Sequence, residues 1–253
     1  MFACHVFSMP KEGNTPAEYE DAFWPREALS FDSVPIRLAV ADGATETSFS
    51  GLWARLLVTA YGRGRLAEKD WHIDLPKIRR AWRRAVGQKP LPWYAEEKLR
   101  AGAYSSLLGL TILSPQPRDA REGTWHALAV GDSCLVQARG DEMISSFPFS
   151  RADEFNSRPL LVSSLDSHDD AESEARQASG RWTSGDAFFL MTDALAAWCL
   201  RGVEADEQVI DGLRSVETQG QFESLVADLR GDVDDEGLPR LKNDDVTLVR
   251  CMM

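Results

Sequence analysis

The stretch WHALAVGDSCLVQAR, Trp125–Arg139, sets two apolar runs on either side of Gly131-Asp132-Ser133. Trp125 to Val130 and Cys134 to Ala138 each have the length of a strand, and the glycine-led turn between them is far too short for a parallel crossover. This is hairpin chemistry, so the chain is expected to build an α+β fold of antiparallel sheets with helices outside, not a doubly wound parallel sheet.

Further strand-like runs lie on both sides of it: Phe2 to Phe7, Ile36 to Ala41, Ser105 to Leu113, Ala187 to Met191 and Val246 to Met252. In Ile36 to Ala41 the apolar Ile36, Leu38 and Val40 alternate with Arg37, Ala39 and Ala41 at period two. Helical spacing is clearest in Phe49, Leu52, Trp53, Leu56, Leu57, Ala60 and Tyr61, with Thr47 or Ser48 to cap the start and Gly62 and Gly64 to end it. A second helix is expected over Leu75 to Val86, its arginines on a solvated face, and others at Trp93 to Arg100, Ala194 to Arg201 and Phe222 to Arg230. Between Ser145 and Ser184 the pattern gives way to Pro, Ser, Asp and Arg, which reads as a variable, mobile surface excursion. At 253 residues with 43% hydrophobic content the whole chain, 1–253, is expected to form one domain around a sizeable core.

Acidic residues outnumber basic ones by 40 to 28, for a net charge of -12. That balance argues against nucleic-acid and membrane-surface partners, which need a basic face, and suits divalent cations better. Cys4, Cys134, Cys199 and Cys251 are scattered in apolar contexts with no CxxC spacing, so they read as reduced core residues. The start lacks signal-peptide character and no run reaches the length of a membrane span, so a soluble, cytoplasmic protein is expected.

Three aspartates share one placement. Asp42 follows the strand Ile36 to Ala41, Asp193 follows Ala187 to Thr192, and Asp244 precedes Val246 to Arg250. A sheet can hold a carboxylate rigidly at a strand end, and carboxylates gathered from distant positions need a cation to offset their repulsion. All-oxygen ligands select hard ions such as Mg²⁺ or Mn²⁺. Gly43, lacking a side chain, lets its own carbonyl approach a metal held by Asp42.

Five motifs in order resemble the protein phosphatase 2C family of metal-dependent serine/threonine phosphatases: Glu20-Asp21-Ala22-Phe23; Ala41-Asp42-Gly43; Ala129-Val130-Gly131-Asp132-Ser133 with Arg139-Gly140; Met191-Thr192-Asp193; and Asn243-Asp244-Asp245-Val246-Thr247. Gly102 to Ser106 is similar to the small-residue segment that packs under that family's site. The resemblance implies an αββα sandwich with a two-metal site at one end. Asp42 would then bridge both ions, Gly43 would bind one through its carbonyl, and Asp193 and Asp244 would complete the other. Glu20 would act through bound water with Asp21 in support, and Asp132 would be a candidate ligand for a third ion. The implied reaction is hydrolysis of phosphoserine or phosphothreonine in a phosphoprotein, made by a cognate Ser/Thr kinase, through a metal-activated water.

Several positions depart from the family pattern. Pro16 stands where the family often carries a phosphate-binding arginine, which leaves Lys11 as a point-charge substitute. Ala44 to Thr47 replace the usual glycine-rich continuation and its histidine, so water would protonate the leaving group. Ala194 replaces a glycine. Asp245 replaces an asparagine and either alters metal affinity or bonds nearby backbone. These departures also admit a catalytically weak or inactive phosphatase-like module that binds a phosphoprotein or other partner, and a hydrolase of small phosphate esters.

Overall fold

The structure, a computed structural model, describes residues 2–31, 35–44, 49–66, 69–87, 101–114, 121–155, 159–166, 175–233, 237 and 239–253. The helix expected at Trp93 to Arg100 and the caps expected at Thr47 and Ser48 lie outside the described residues.

One sheet contains β1 (Phe2–Met9), β3 (Leu29–Phe31), β8 (Cys134–Arg139), β9 (Glu142–Phe147), β12 (Asp186–Met191) and β13 (Val246–Met252), in the order β3-β1-β13-β12-β8-β9. The other contains β2 (Ala22–Trp24), β4 (Ile36–Ala41), β6 (Leu107–Leu113), β7 (Glu122–Val130) and β11 (Arg176–Thr183), in the order β11-β7-β6-β4-β2. A short pair, β5 (Tyr104–Ser105) and β10 (Val162–Ser163), stands beside them, and neighbouring strands run antiparallel in all three sheets.

Alternation along each strand divides its side chains between two layers. Ile36, Leu38 and Val40 of β4 meet Phe188, Leu190 and Val249 between the sheets. Ala39 and Ala41 point the other way, beneath α1 (Ser50–Gly62) and α2 (Trp71–Gly87), with Trp53, Leu57, Tyr61 and Trp82. On the opposite side Phe189 and Met191 pack under α3 (Asp193–Glu204), α4 (Val209–Ser215) and α5 (Gln219–Gly231). The result is the expected αββα sandwich. Full burial of each large side chain contributes about 1.5–3 kcal/mol relative to exposure, so three stacked apolar layers supply most of the driving force.

The strands on either side of Gly131 are those expected, but they do not pair with each other. Val130 pairs with Leu107 in one sheet and Cys134 with Met191 in the other, so the turn crosses the end of the sandwich. Gly131 makes the crossing possible: its φ is 93°, and a Cβ there would lie 2.7 Å from that of Ser106. The stretch read as a surface excursion also differs. Near its end lies β11, paired with β7 from Arg176–Ala129 to Thr183–Glu122. Cys4 and Cys251, expected to be reduced, face each other across β1 and β13 and form a disulfide, whereas Cys134 and Cys199 are free and buried. No described helix is long and apolar enough to cross a membrane.

Candidate metal centre

The ends of β4, β7 and β12 and the starts of β2, β6, β8 and β13 all fall at one end of the sandwich, as their registers require. Asp42 leaves β4 there. Its amide donates to Ser106 Oγ at 2.9 Å and its carbonyl accepts from the Ser106 amide at 2.8 Å, while Ser106 and Ser133 hydroxyls meet at 2.8 Å. Gly43 bridges to Ser105, and the Ala44 amide donates to the Tyr104 carbonyl at 3.0 Å. The small-residue segment 102–106 thus clamps the loop that carries Asp42. A Cβ on Gly43 would lie 2.8 Å from both the Glu20 carbonyl oxygen and the Ser50 carbonyl carbon, so the glycine keeps three chain segments in contact.

Asp21 is buried, and its Oδ2 accepts hydroxyls from Thr247 at 2.7 Å, Thr192 at 3.0 Å and Tyr19 at 3.5 Å. Because Thr192 precedes α3 and Thr247 lies in β13, this one carboxylate ties the Asp193 and Asp244 segments to β2. Asp21, expected to support Glu20, also holds the floor of the site through these hydroxyls. Glu20 is fixed by other groups: its amide donates to Asp245 Oδ2 at 2.7 Å, and its carboxylate accepts the Ser50 hydroxyl. Asp245 Oδ1 also accepts the Lys11 amide at 2.8 Å. Of the two roles open for Asp245, the structure therefore shows backbone bonding.

The carboxylates perturb one another strongly. Burial first, then the charges of Asp21, Asp193, Asp132 and Asp244, push the Asp42 carboxyl well above the usual range. Burial, and next the Asp245 charge, raise Asp21 to about 8 against the lowering pull of its hydroxyl donors. Burial and then Asp193 raise Asp132 to about 7. Asp193 is raised by burial although Lys242 opposes the shift. Lys242 Nζ is 2.7 Å from Asp244 Oδ2 and 3.5 Å from Asp193 Oδ2, and these carboxylates outweigh burial to raise its pKa.

Among the described residues no three His, Cys, Asp or Glu side chains converge as a finished metal cage. The surroundings nonetheless suit a hard cation. Asp21 Oδ1 and Asp132 Oδ1 are buried without a hydrogen-bond partner among the described residues, the donors are all oxygen, and the crowded negative charge lacks a matching number of cations. Asp42, Asp132, Asp193 and Asp244 lie near enough for their charges to act on one another.

Beside Glu20 a cavity of about 570 Å³ opens between the turn carrying Ala17–Glu20 and α1, lined in part by Lys11, Phe49, Leu52 and Arg55. Lys11, singled out from the sequence, is on this wall. Arg55 was not anticipated, because its spacing on α1 looks like that of any solvated helix residue. The contacts of Thr192, Thr247, Ser50, Ser106 and Ser133 also went unread, since their partners are remote in sequence, as did the pairing of Lys242 with Asp244 and Asp193.

A family model for protein phosphatase 2C matches residues 19–242. The chain belongs to the protein phosphatase 2C family. No curated protein matches by sequence. Among solved structures, the Mycobacterium tuberculosis serine/threonine phosphatase PstP/Ppp aligns at TM-score 0.61 and 15% identity over 100% of this chain and 99% of its own. The photosystem II phosphatase PBCP aligns at TM-score 0.63 and 14% identity with the same coverage. The catalytic domain of PstP in complex with two manganese ions aligns at TM-score 0.55 and 16% identity, covering 100% and 99%. At these identities the likeness supports the family's fold, and the chemistry rests on the residues.

Proposed function

We propose that this protein phosphatase 2C member is a metal-dependent phosphatase that hydrolyses phosphoserine and phosphothreonine in a phosphoprotein, reversing the work of a Ser/Thr kinase. The observation that carries this reading is the gathering of Asp42, Asp132, Asp193 and Asp244 at one end of the sandwich, with charges close enough to raise the Asp42 carboxyl well above its normal range. Asp42, Asp193, Asp244 and the Gly43 carbonyl would hold two Mn²⁺ or Mg²⁺ ions, with Glu20 acting through water and Asp132 offering a third position. Bound ions of this class activate a water molecule and offset charge on phosphoryl oxygens.

The chain's own residues supply the order around that chemistry. Asp21, by bonding Thr192 and Thr247, keeps Asp193 and Asp244 in register with Asp42. Ser50 fixes the Glu20 carboxylate and Asp245 accepts its amide, so Glu20 is held in one orientation. With no histidine in the matching loop, solvent is left to protonate the departing seryl or threonyl oxygen.

Phosphopeptide hydrolysis should be measured with Mn²⁺, with Mg²⁺ and with chelator, beside Asp42→Asn and Asp193→Asn. Turnover that needs metal and both carboxylates is the expected result; metal binding without turnover would reject it. A second reading, a weak or inactive module that binds phosphoprotein, is favoured by one feature. Lys242 brings its own positive charge to Asp193 and Asp244 and so competes with an ion there.

A further inference from the structure

We propose that Arg55 of α1 receives the substrate's phosphoryl group, taking the place that Pro16 leaves without a guanidinium. This rests on the phosphatase reading above and assigns a residue to it.

The argument begins with position. Arg55 lines the cavity that has Glu20 in its wall, and Lys11 stands on the same wall. A Cβ placed on Gly51 would lie 3.2 Å from Glu20 Cα and 3.4 Å from Arg55 Nη1, so the guanidinium and the Glu20 backbone meet at one glycine at the edge of the carboxylate cluster. A residue with any side chain at 51 would stand between them.

Charge gives the second step. In a chain of net charge -12, other arginines are neutralised: Arg79 by Asp166, Arg139 by Asp186 and Arg240 by Glu207. Among the described residues no carboxylate pairs with Arg55. Partial burial, and then the nearby Arg26 charge, lower its pKa below the ordinary arginine value, as for a cation whose counter-ion is missing. A phosphoryl group offers two oxygens to a planar fork, a geometry that Lys11 cannot match as a point charge.

Ordering completes it. Trp53 and Ala54, the two residues before Arg55 on α1, are fully buried, and Trp53 Nε1 donates to the Val162 carbonyl at 2.8 Å. The base of the Arg55 side chain is therefore fixed, while its tip is free to meet a ligand. Beside its polar residues Asn14, Glu18, Tyr19 and Ser50 the cavity wall carries Ala17, Phe49, Leu52 and Ala85, an apolar strip that suits the aliphatic part of a peptide.

Arg55→Gln and Arg55→Lys should be compared with the parent protein and with Arg80→Ala, an exposed α2 arginine, as control. Folding is checked by circular dichroism, and three quantities are read: Mn²⁺ affinity by calorimetry, inorganic phosphate affinity with Mn²⁺ present, and kcat/KM for a phosphopeptide and for p-nitrophenyl phosphate. Loss of one charge-assisted contact predicts phosphate affinity weaker by about 10–100-fold in Arg55→Gln, with a similar fall in kcat/KM for both esters. Arg55→Lys should fall between, and Mn²⁺ affinity should stay within about twofold of the parent, as expected for sites that share no ligand. Unchanged phosphate affinity in Arg55→Gln overturns the assignment. So does a loss confined to the phosphopeptide, which would place Arg55 against a flanking acidic residue. If the parent protein turns over neither ester, the phosphatase reading fails, but inorganic phosphate binding still decides the role of Arg55.

Discussion

Asp21 allows the cost of the carboxylate cluster to be measured without an activity assay. Its carboxyl rises from an ordinary 3.8 to about 8 in the folded chain. An acid with a raised folded pKa binds its proton more tightly when folded, so its contribution to stability is complete below about pH 3.8 and is lost as pH rises toward 8. Each unit of difference corresponds to about 1.4 kcal/mol; at pH 7 Asp21 stays mostly protonated in the metal-free fold while the unfolded chain has lost that proton, so about 4 kcal/mol of the stability present at acid pH is gone. Between pH 5 and pH 7 the loss is about 3 kcal/mol, or roughly 5–10 °C in Tm for a chain of this size.

The measurement is thermal unfolding in chelator at stepped pH, comparing the parent protein with Asp21→Asn. An asparagine oxygen can still accept from Thr192 and Thr247, while its amide replaces Oδ1, which has no partner among the described residues. Asp42, Asp132 and Asp193 shift in the same direction, so the parent slope exceeds the Asp21 share; the difference between the two proteins reads that share together with its coupling to Asp42 and cancels His5. Asp21→Asn should be the more stable protein at pH 7 in chelator, with a slope shallower by about 1.4 kcal/mol per pH unit. Saturating Mn²⁺ should narrow the gap, because an ion that binds only the folded state offsets the same repulsion. Equal slopes in chelator, or a parent Tm that rises from pH 5 to pH 7, would refute the reasoning.

Three further outcomes follow from particular contacts. Gly43→Ala drives a methyl to 2.8 Å from the Glu20 carbonyl oxygen and the Ser50 backbone, so it should lower stability by about 1–3 kcal/mol and weaken Mn²⁺ binding, read by melting and calorimetry. Lys242→Met removes the ammonium that stands 2.7 Å from Asp244 and 3.5 Å from Asp193, and Mn²⁺ affinity should rise by about tenfold, since one opposed unit charge at a rim site is worth about 1 kcal/mol or more against a divalent ion. Thiol titration of the unfolded, unreduced chain should find Cys134 and Cys199 reactive and Cys4 and Cys251 silent until a reductant is added.

Much of the layer structure was legible because period-two and period-3.6 patterns are local. Ile36 to Ala41, Leu107 to Leu113 and Val246 to Met252 are strands wherever they pair, and in the α1 stripe Trp53, Leu57, Ala60 and Tyr61 are buried, with Phe49, Leu52 and Leu56 partly so. Sheet membership is another matter. Leu128, Val130, Leu135 and Val136 are all buried, so apolar character gives no hint that the chain changes sheets between them, and a three-residue turn looks the same in a hairpin as in a crossing. β11 escaped notice because it is a polar edge strand, mostly exposed from Arg176 to Arg181, with Trp182 its one fully buried side chain. At the site, the aspartates could be named from their places at strand ends, whereas the groups that hold them could not. Thr192 and Thr247 reach Asp21 across 171 and 226 residues, and nothing in a threonine's neighbours in sequence marks it as a hydroxyl donor to a buried carboxylate. The same logic explains Asp245: its charge left open a change at the metal or a bond to nearby backbone, and two amides, of Lys11 and Glu20, engage both oxygens and make it a clasp between β13 and the loop that presents Glu20. A neutral asparagine has one side-chain acceptor oxygen, so it could not accept those two amides on separate oxygens. The substitution thus tightens the scaffold around Glu20 without requiring Asp245 itself to touch an ion.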